Sequence, residues 1–181
     1  MSIEQQTFAY TTTSTPWGRV GLLASPVGLA ALGFEAQRND TGSWAVSVAT
    51  RLADLATQVQ EVPNNPTLVS AIEQLREYWE GTRQEFALPL DRRLSHGFGL
   101  AVHKQLEQIG YGHTASYAEV ARAVGNPQAV RAVGSACGAN PLPIIVPCHR
   151  VLRSDGSLGG YAGGLHVKRL LLDLEARHSG R

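Results

Sequence analysis

The sequence predicts an α/β amino-terminal domain, with an antiparallel sheet and a helix, followed by a mostly α-helical carboxy-terminal domain. Short β-branched segments separated by turn residues fill the first third of the chain. From residue 98 onward, apolar residues recur at helical spacing instead. The polar stretch 91–97 separates the two patterns, so we place the domains at residues 1–93 and 94–181.

In the first domain, strands are expected at residues 7–13, 19–24 and 29–34, because turn signals separate these segments. Residues 66–80 are expected to be helical, since Leu68, Ile72, Leu75 and Trp79 share one face. The pattern is less definite in two segments. Residues 44–59 could form either a helix or a loop, and residues 86–90 are a candidate strand.

In the second domain, apolar positions predict a helix over residues 98–109, and Ser116 with Glu119 forms a capping box that begins the next helix. We expect Asn126 to cap a third helix with Pro127 in its first position, which completes a helix-turn-helix. The inner face of the third helix is expected to carry Val130, Val133 and Cys137, and its outer face Gln128, Arg131, Ser135 and Gly138.

Composition excludes several classes of protein. No run approaches the roughly 18 apolar residues of a membrane span, and the first 30 residues lack a signal-peptide pattern. We therefore expect a cytoplasmic protein with no membrane association. The two cysteines, Cys137 and Cys148, are too few for a disulfide framework or a four-thiolate zinc site, so a free thiol is the expected chemical resource.

Charge points to the second domain as the place where an anion would bind. Residues 1–95 hold seven Lys and Arg against ten Asp and Glu, whereas residues 96–181 hold nine against five. Arginine, which suits forked contacts to phosphates and bases, supplies most of the cations. A difference of this size is also ordinary for a protein surface.

Cys148 is the candidate nucleophile, because the short apolar run 144–146 leads directly to it and His149 follows. A free cysteine is largely protonated at neutral pH and needs a base, a role that His149 could fill. In the last helix, over residues 165–177, Glu175 falls on the apolar stripe. A buried carboxylate needs a partner, so we infer that Glu175 accepts a hydrogen bond from His149.

Residues 140–151, which read Asn-Pro-Leu-Pro-Ile-Ile-Val-Pro-Cys-His-Arg-Val, resemble the active-site signature of the O6-alkylguanine-DNA alkyltransferase family. The resemblance is close over residues 98–177, whereas residues 1–95 resemble the family's ribonuclease H-like α/β domain only in general pattern. Further stretches agree in order and spacing: Ser116 with Tyr117, residues 131–134, residues 160–164, Lys168 and Glu175.

The resemblance implies single-use DNA repair, in which Cys148 accepts the alkyl group from a flipped base. His149, through a water molecule and supported by Glu175, would generate the thiolate. Asn140 would join the recognition helix to the active-site loop, and Tyr117 would press on a phosphate and promote flipping. Three residues depart from the usual family pattern: His103 replaces a Trp, Gly110 a Pro, and Ala162 a Ser of some members.

The implied partner is double-stranded DNA containing O6-alkylguanine, with O4-alkylthymine as a second candidate lesion. Arg131 would enter the minor groove and fill the gap left by the flipped nucleotide. We expect no cofactor, no metal and no obligate protein partner, and leave cooperative assembly on DNA open. The expected DNA contacts are Arg131, Tyr117, Gln128 and Ser135, and the expected pocket residues are Tyr161, Val151, Pro143, Cys137 and Ala162.

Three other functions share part of this sequence pattern. Alkyltransferase-like proteins, which bind damaged DNA without repairing it, carry Trp where this chain has Cys148. A transcription regulator would present several base-reading side chains on its recognition helix, and only Gln128 and Arg131 qualify here. A cysteine hydrolase would use Cys148 and His149 for many turnovers and would not need Arg131.

Overall fold

The structure, a computed structural model, describes residues 7–34 and 58–180. The chain divides into two compact units, Met1–Leu94 and Ser95–Arg181. This boundary lies one residue after the predicted one. Within the described ranges, no helix is both long and apolar enough to cross a membrane.

The sheet of the first unit is built on the predicted meander. Strands β1 (Thr7–Thr15), β2 (Gly18–Ala24) and β3 (Leu29–Phe34) pair in antiparallel fashion in chain order. A fourth strand, β4 (Gln58–Glu61), pairs with β1 in parallel and completes the order β3-β2-β1-β4. The sequence did not predict β4, because Val59 is its only apolar residue. The segment 44–59 lies outside the described residues except for its last two residues, which belong to β4.

Helix α1 (Pro66–Trp79) confirms the predicted helix, and its start follows from local chemistry. The Asn65 side chain accepts hydrogen bonds from the backbone N–H groups of Thr67 and Leu68, and proline occupies the first turn, where its missing N–H costs nothing. The predicted face is wrong in part, because the face of the helix that is buried is rotated relative to the predicted one. The residues that the structure buries are Leu68, Ala71, Gln74, Leu75 and Tyr78, whereas Ile72 and Trp79 are half-buried.

Residues 86–90 do not form the candidate strand. Only Leu90 makes a bridge, to Leu29, whose N–H donates to the Pro89 carbonyl at 2.8 Å. Pro89 has no N–H with which to continue a ladder, so the pairing stops there. A hydrophobic core cluster of the unit contains Phe8, Leu23, Ala30, Ala31 and Leu94.

The second unit is mostly helical, as predicted. One very short parallel pair of strands, β5 (Ala115–Ser116) with β6 (Val151–Leu152), holds Ala115 beside Val151. The described elements in chain order are α2 (Gly97–Leu106), β5 (Ala115–Ser116), α3 (Tyr117–Ala123), α4 (Val130–Gly138), a 3₁₀ turn (Cys148–Arg150), β6 (Val151–Leu152) and α5 (Gly164–His178). The first of these ends before Ile109, which lies in the following turn rather than on the helix as expected.

The capping box that begins α3 is present. Ser116 Oγ accepts from the Glu119 N–H at 3.1 Å, and the Glu119 carboxylate accepts from the Ser116 N–H at 2.6 Å. The expected start of the next helix is wrong, because α4 begins at Val130. The Asn126 N–H closes the end of α3 on the Ala121 carbonyl, in a Schellman arrangement, and residues 126–129 form a separate turn.

The faces of α4 agree with the prediction except at its first residue. Val133 and Cys137 are buried, whereas Val130 is 38% exposed. Arg131, Ser135 and Gly138 are exposed, as expected. Helix α5 buries most of the predicted stripe, including Glu175, and also buries Lys168, whereas Leu170 is half-buried.

Candidate active site

Asn140 shapes the buried segment that leads to the cysteine. Its side-chain oxygen accepts from the Leu142 N–H at 3.0 Å, and its side-chain nitrogen donates to the Val146 carbonyl at 2.8 Å. Between these anchors, Ile144 has a φ of 75°, a conformation that costs a non-glycine residue about 1–3 kcal/mol. The Cys148 N–H then bonds to Val146 and begins the 3₁₀ turn. The position of the sulfur is therefore set by a tightly bonded loop.

Cys148 is a buried, protonated thiol. It is 3% exposed, and this burial raises the pKa of the thiol above its ordinary value. A hydrogen bond with the Asn140 side chain and the positive charge of Lys168 oppose the shift without cancelling it. The nucleophile is therefore a thiol at neutral pH until a base removes its proton.

His149 forms the hydrogen bond with Glu175 that the sequence predicted. The His149 Nε2 lies 2.8 Å from Glu175 Oε1, and both side chains are fully buried. Burial lowers the pKa of His149, although the bond to Glu175 opposes the shift. Since the carboxylate can only accept, Nε2 carries the proton, and the imidazole is neutral with Nδ1 as its basic nitrogen.

Glu175 is ionised despite its burial. Burial alone would raise its pKa, but hydrogen bonds from His149 and Arg150 and the charge of Arg150 lower it to about 2. Arg150 donates to both carboxylate oxygens, from Nε at 3.0 Å to one and from Nη2 at 2.9 Å to the other. The backbone N–H of Gly112 adds a third donor at 3.0 Å. The sequence analysis did not identify Arg150 or Gly112 as partners of this carboxylate.

Lys168 is a second charged group that sequence reasoning assigned no role. Its Nζ is fully buried, donates to the Val151 carbonyl at 2.6 Å and lies 5.9 Å from the centre of the Tyr117 ring. Burial lowers the pKa of this ammonium, and the cysteines nearby raise it. The helical spacing of Lys168, Leu171 and Glu175 on one stripe was the signal that could have found it.

An open cleft of about 520 Å³ lies in front of these groups. The Tyr161 ring forms one wall and meets the His149 ring edge-on, with 6.4 Å between centroids. Burial is the largest cause of the raised pKa values of Tyr161 and Tyr117, and a thiolate at Cys148 would raise both further. The lining consists of Tyr117, Val130, Arg131, Gly134, Gly138, Arg153, Gly159, Gly160, Tyr161 and Ala162.

The predicted site residues fall into separate groups. Tyr117, Arg131, Tyr161 and Ala162 meet at the cleft, whereas three expected pocket residues, Val151, Pro143 and Cys137, are buried and do not line it. Two expected DNA contacts, Gln128 in the turn before α4 and Ser135 on α4, are exposed beside it.

The structure adds Arg153, which the sequence analysis did not single out, to the cleft. It lies in the loop after β6, so no helical or strand periodicity marks it. Nowhere in ranges 7–34 and 58–180 do three His, Cys, Asp or Glu side chains come together in a way that could hold a metal ion.

Gly159 is required by packing within this cleft. A Cβ atom at this position would lie 2.2 Å from the Tyr117 hydroxyl oxygen, which is a severe overlap. The glycine-rich loop therefore lets the Tyr117 ring approach the backbone directly. A side chain at position 159 would force the Tyr117 ring or the loop to shift.

Comparison with known families accounts for nearly the whole chain. The family described as 6-O-methylguanine DNA methyltransferase, DNA binding domain, matches residues 97–177. The family described as 6-O-methylguanine DNA methyltransferase, ribonuclease-like domain, matches residues 8–92. The two matches follow one another in the order of the two compact units.

Individual relatives agree with these matches. The constitutive methylated-DNA–protein-cysteine methyltransferase of Bacillus subtilis is 41% identical over 167 residues, which are 92% of this chain and 94% of that protein. The methylated-DNA–protein-cysteine methyltransferase of Mycolicibacterium paratuberculosis is 49% identical over 116 residues, or 64% of this chain and 70% of that protein. The crystal structure of Mycobacterium tuberculosis OGT in complex with DNA is similar with a TM-score of 0.77 and 36% identity, and covers 94% of both chains. The chain therefore belongs to the methylated-DNA–protein-cysteine methyltransferase family.

Proposed function

We propose that this protein repairs duplex DNA by direct reversal of damage, taking an alkyl group from the O6 atom of guanine onto Cys148. The observation that carries the proposal is a buried thiol next in sequence to a neutral imidazole, which bonds to an ionised carboxylate and contacts Tyr161 in the wall of an open cleft. The relatives named above support methyl transfer from DNA to a protein cysteine. O4-alkylthymine is the second lesion that the same chemistry would admit.

The transfer begins with removal of the thiol proton. Because Nε2 of His149 is bonded to Glu175, Nδ1 accepts the proton of Cys148, through a water molecule as in the family. The sulfur then attacks the alkyl carbon, the S–C bond forms as the C–O6 bond breaks, and guanine leaves with the electron pair and takes up a proton. Glu175 and Arg150 hold the imidazole in place while it is positively charged.

The base must leave the helix to reach the sulfur. A lesion carbon inside stacked DNA is inaccessible to a thiol behind the cleft, and flipping costs a few kcal/mol. Arg131 is exposed on α4 at the mouth of the cleft, where it would fill the gap in the stack. Tyr117 and Arg153 would contact the backbone phosphates, with Gln128 and Ser135 on the same surface. The DNA complex of the mycobacterial relative supports the binding of DNA.

We further infer that each molecule acts once. The thioether product is a poor leaving group, so it persists on the protein. Cys137 offers no second nucleophile, because burial raises its pKa to about 12 and keeps it protonated. No cofactor or partner protein is needed for this step.

Mass spectrometry of the intact protein and its peptides tests the proposal. Incubation with excess duplex containing O6-methylguanine should add one methyl group per molecule, on the peptide that contains Cys148. The Cys148→Ala variant should add none while it still binds the duplex. Repair of many lesions by one molecule would indicate hydrolysis instead, and an unimpaired alanine variant would remove Cys148 from the reaction.

A further inference from the structure

The turn that follows α2 contacts both members of the ion pair formed by Arg150 and Glu175. Arg150 Nη1 donates to the Ile109 carbonyl, and the Gly112 N–H donates to Glu175 Oε2 at 3.0 Å. Gly112 has a φ of 70°, and a Cβ atom there would lie 2.5 Å from the Cβ of Ser179, which follows α5. Because only glycine suits this approach, the turn can pack directly against the end of the helix that carries Glu175.

Tyr111, which the proposed mechanism does not use, lies between these two contacts in the chain. The guanidinium carbon of Arg150 lies over its ring, 5.8 Å from the ring centre, within the range over which an aromatic face attracts a cation. Tyr111 is partly exposed, whereas Arg150 is only 7% exposed, so the ring lies at the boundary between the ion pair and solvent. Burial raises the pKa of the Tyr111 phenol, and the charge of Glu175 raises it further, so the ring stays neutral beside the cation.

One oxygen atom connects this ion pair to the proposed base. Glu175 Oε1 accepts from His149 Nε2 at 2.8 Å and also from Arg150 Nη2 at 2.9 Å. A shift of the guanidinium would therefore move the oxygen that holds the imidazole. Since the hydrogen bond at Nε2 decides which ring nitrogen carries the proton, a change at Arg150 would also affect Nδ1.

We propose that Tyr111 is a positioning residue for the alkyl transfer, because its ring holds the Arg150 guanidinium against Glu175 and so fixes His149 with Nδ1 as the base. The effect on the reaction rate rests on the proposed function, whereas the hydrogen bond between His149 and Glu175 can be measured without DNA. The face of the ring, rather than the phenol hydroxyl, supplies the attraction. Phenylalanine should therefore replace Tyr111, and an aliphatic side chain should not.

Exchange of imidazole N–H protons with water, followed by NMR on protein labelled at the histidine nitrogens, tests the inference. His103 is an internal reference, because its Nε2 donates to the Ala136 carbonyl at a different buried site. In Tyr111→Leu, the exchange rate of the His149 proton should rise about tenfold relative to that of His103, as expected for loss of a desolvated contact between a cation and a ring. In Tyr111→Phe, the two exchange rates should keep their wild-type ratio.

Single-turnover methyl transfer from a duplex containing O6-methylguanine measures the effect on the reaction. The rate constant should fall about tenfold in Tyr111→Leu and stay near the wild-type value in Tyr111→Phe. Tyr10→Leu is the matched control, because it removes a half-buried ring from the core of the first unit. It should change neither the exchange ratio nor the rate constant.

The two measurements separate the possible failures. Equal acceleration of both histidine protons in Tyr111→Leu would overturn the inference, because it would indicate a general loosening of the unit. Equal impairment of Tyr111→Phe and Tyr111→Leu, or a wild-type His149 proton that exchanges as fast as that of free imidazole, would also overturn it. A wild type that transfers no methyl group while the exchange results hold would overturn the proposed function instead. If urea unfolding shows that Tyr111→Leu is not folded, Tyr111→Met replaces it.

Discussion

Cys148, His149 and Glu175 are all buried, but burial does not decide the protonation state of all three. Burial keeps the Cys148 thiol protonated and the His149 imidazole neutral, because the loss of water outweighs the opposing contacts with Lys168 and Glu175. Glu175 is ionised because Arg150 and two other donors compensate for its loss of water. Because these shifts oppose proton transfer from sulfur to imidazole in the resting protein, the proposed mechanism places that transfer after the substrate binds.

Removing the charge of Glu175 should destabilise the protein as well as slow the reaction. In Glu175→Gln, the buried Arg150 loses its counter-charge, which typically costs about 3–5 kcal/mol. Urea unfolding measures the loss of stability, and single-turnover methyl transfer measures the rate. Arg76→Ala is the matched control, because its ion pairs with Glu73 and Glu80 are exposed and should contribute less than about 1 kcal/mol. Equal losses in the two variants would contradict our account of Glu175.

Stability should fall as the solution is acidified, in two ranges. The folded pKa of His149 is below its ordinary value of 6.5, so the unfolded chain binds the proton more readily and stability falls as the pH drops below 6.5. The folded pKa of Glu175 is about 2, against an ordinary 4.5, so a second loss follows as the pH falls from 4.5 towards 2. Urea unfolding from pH 8 to pH 3 measures both. In His149→Gln, the first loss should be absent; its persistence would assign it to another group.

Among the elements, α2 and α4 are joined by a buried histidine at a position where the family usually has tryptophan. His103 Nε2 lies 2.8 Å from the Ala136 carbonyl near the end of α4, and Nδ1 lies 2.9 Å from Ser95 Oγ. Both ring nitrogens are therefore bonded in a side chain that is only 3% exposed. The histidine joins the two helices through hydrogen bonds, whereas the larger indole of a tryptophan would join them through packing. Through its bond to Ala136, His103 holds the proposed DNA-binding helix α4 against α2.

Replacing this histidine should weaken the contact between the helices. His103→Phe retains most of the ring volume but removes the hydrogen bonds of the ring to the Ala136 carbonyl and the Ser95 hydroxyl, at a cost of about 1–3 kcal/mol. Differential scanning fluorimetry and urea unfolding measure the change. His166→Phe, which alters an exposed histidine on α5, is the control and should leave the melting temperature nearly unchanged. A similar effect in both variants would show that these hydrogen bonds contribute nothing specific.

For the molecule as a whole, positive charge is concentrated in the unit that carries the cleft. Arg131 and Arg153 both line the cleft, and the unit has nine basic against five acidic residues from position 96 onward. Cations at such a surface bind DNA by releasing the ions that surround its phosphates. Affinity for undamaged duplex should therefore fall steeply as salt is added.

The two cleft arginines should differ from other surface cations in this respect. Arg153→Ala should weaken duplex binding and reduce the slope of log affinity against log salt by about one, as expected for loss of one phosphate contact. Fluorescence anisotropy at several salt concentrations measures the slope. Arg177→Ala, which removes an exposed charge on α5 outside the cleft, should change the slope less. If the two variants change the slope equally, Arg153 contributes only general electrostatic attraction to DNA and does not contact a defined phosphate.

What the sequence alone determined about this protein lies within single elements and short motifs. The meander, the capping box at Ser116, the Cys148 and His149 pair and the burial of Glu175 all follow from neighbours a few residues apart, where backbone geometry decides which side chains meet. Only the tertiary structure decided that Arg150 and Gly112 bind Glu175, that Lys168 bonds to Val151, that Arg153 lines the cleft and that β4 pairs with β1. These contacts join residues from different elements, and local periodicity carries no information about which elements pack together.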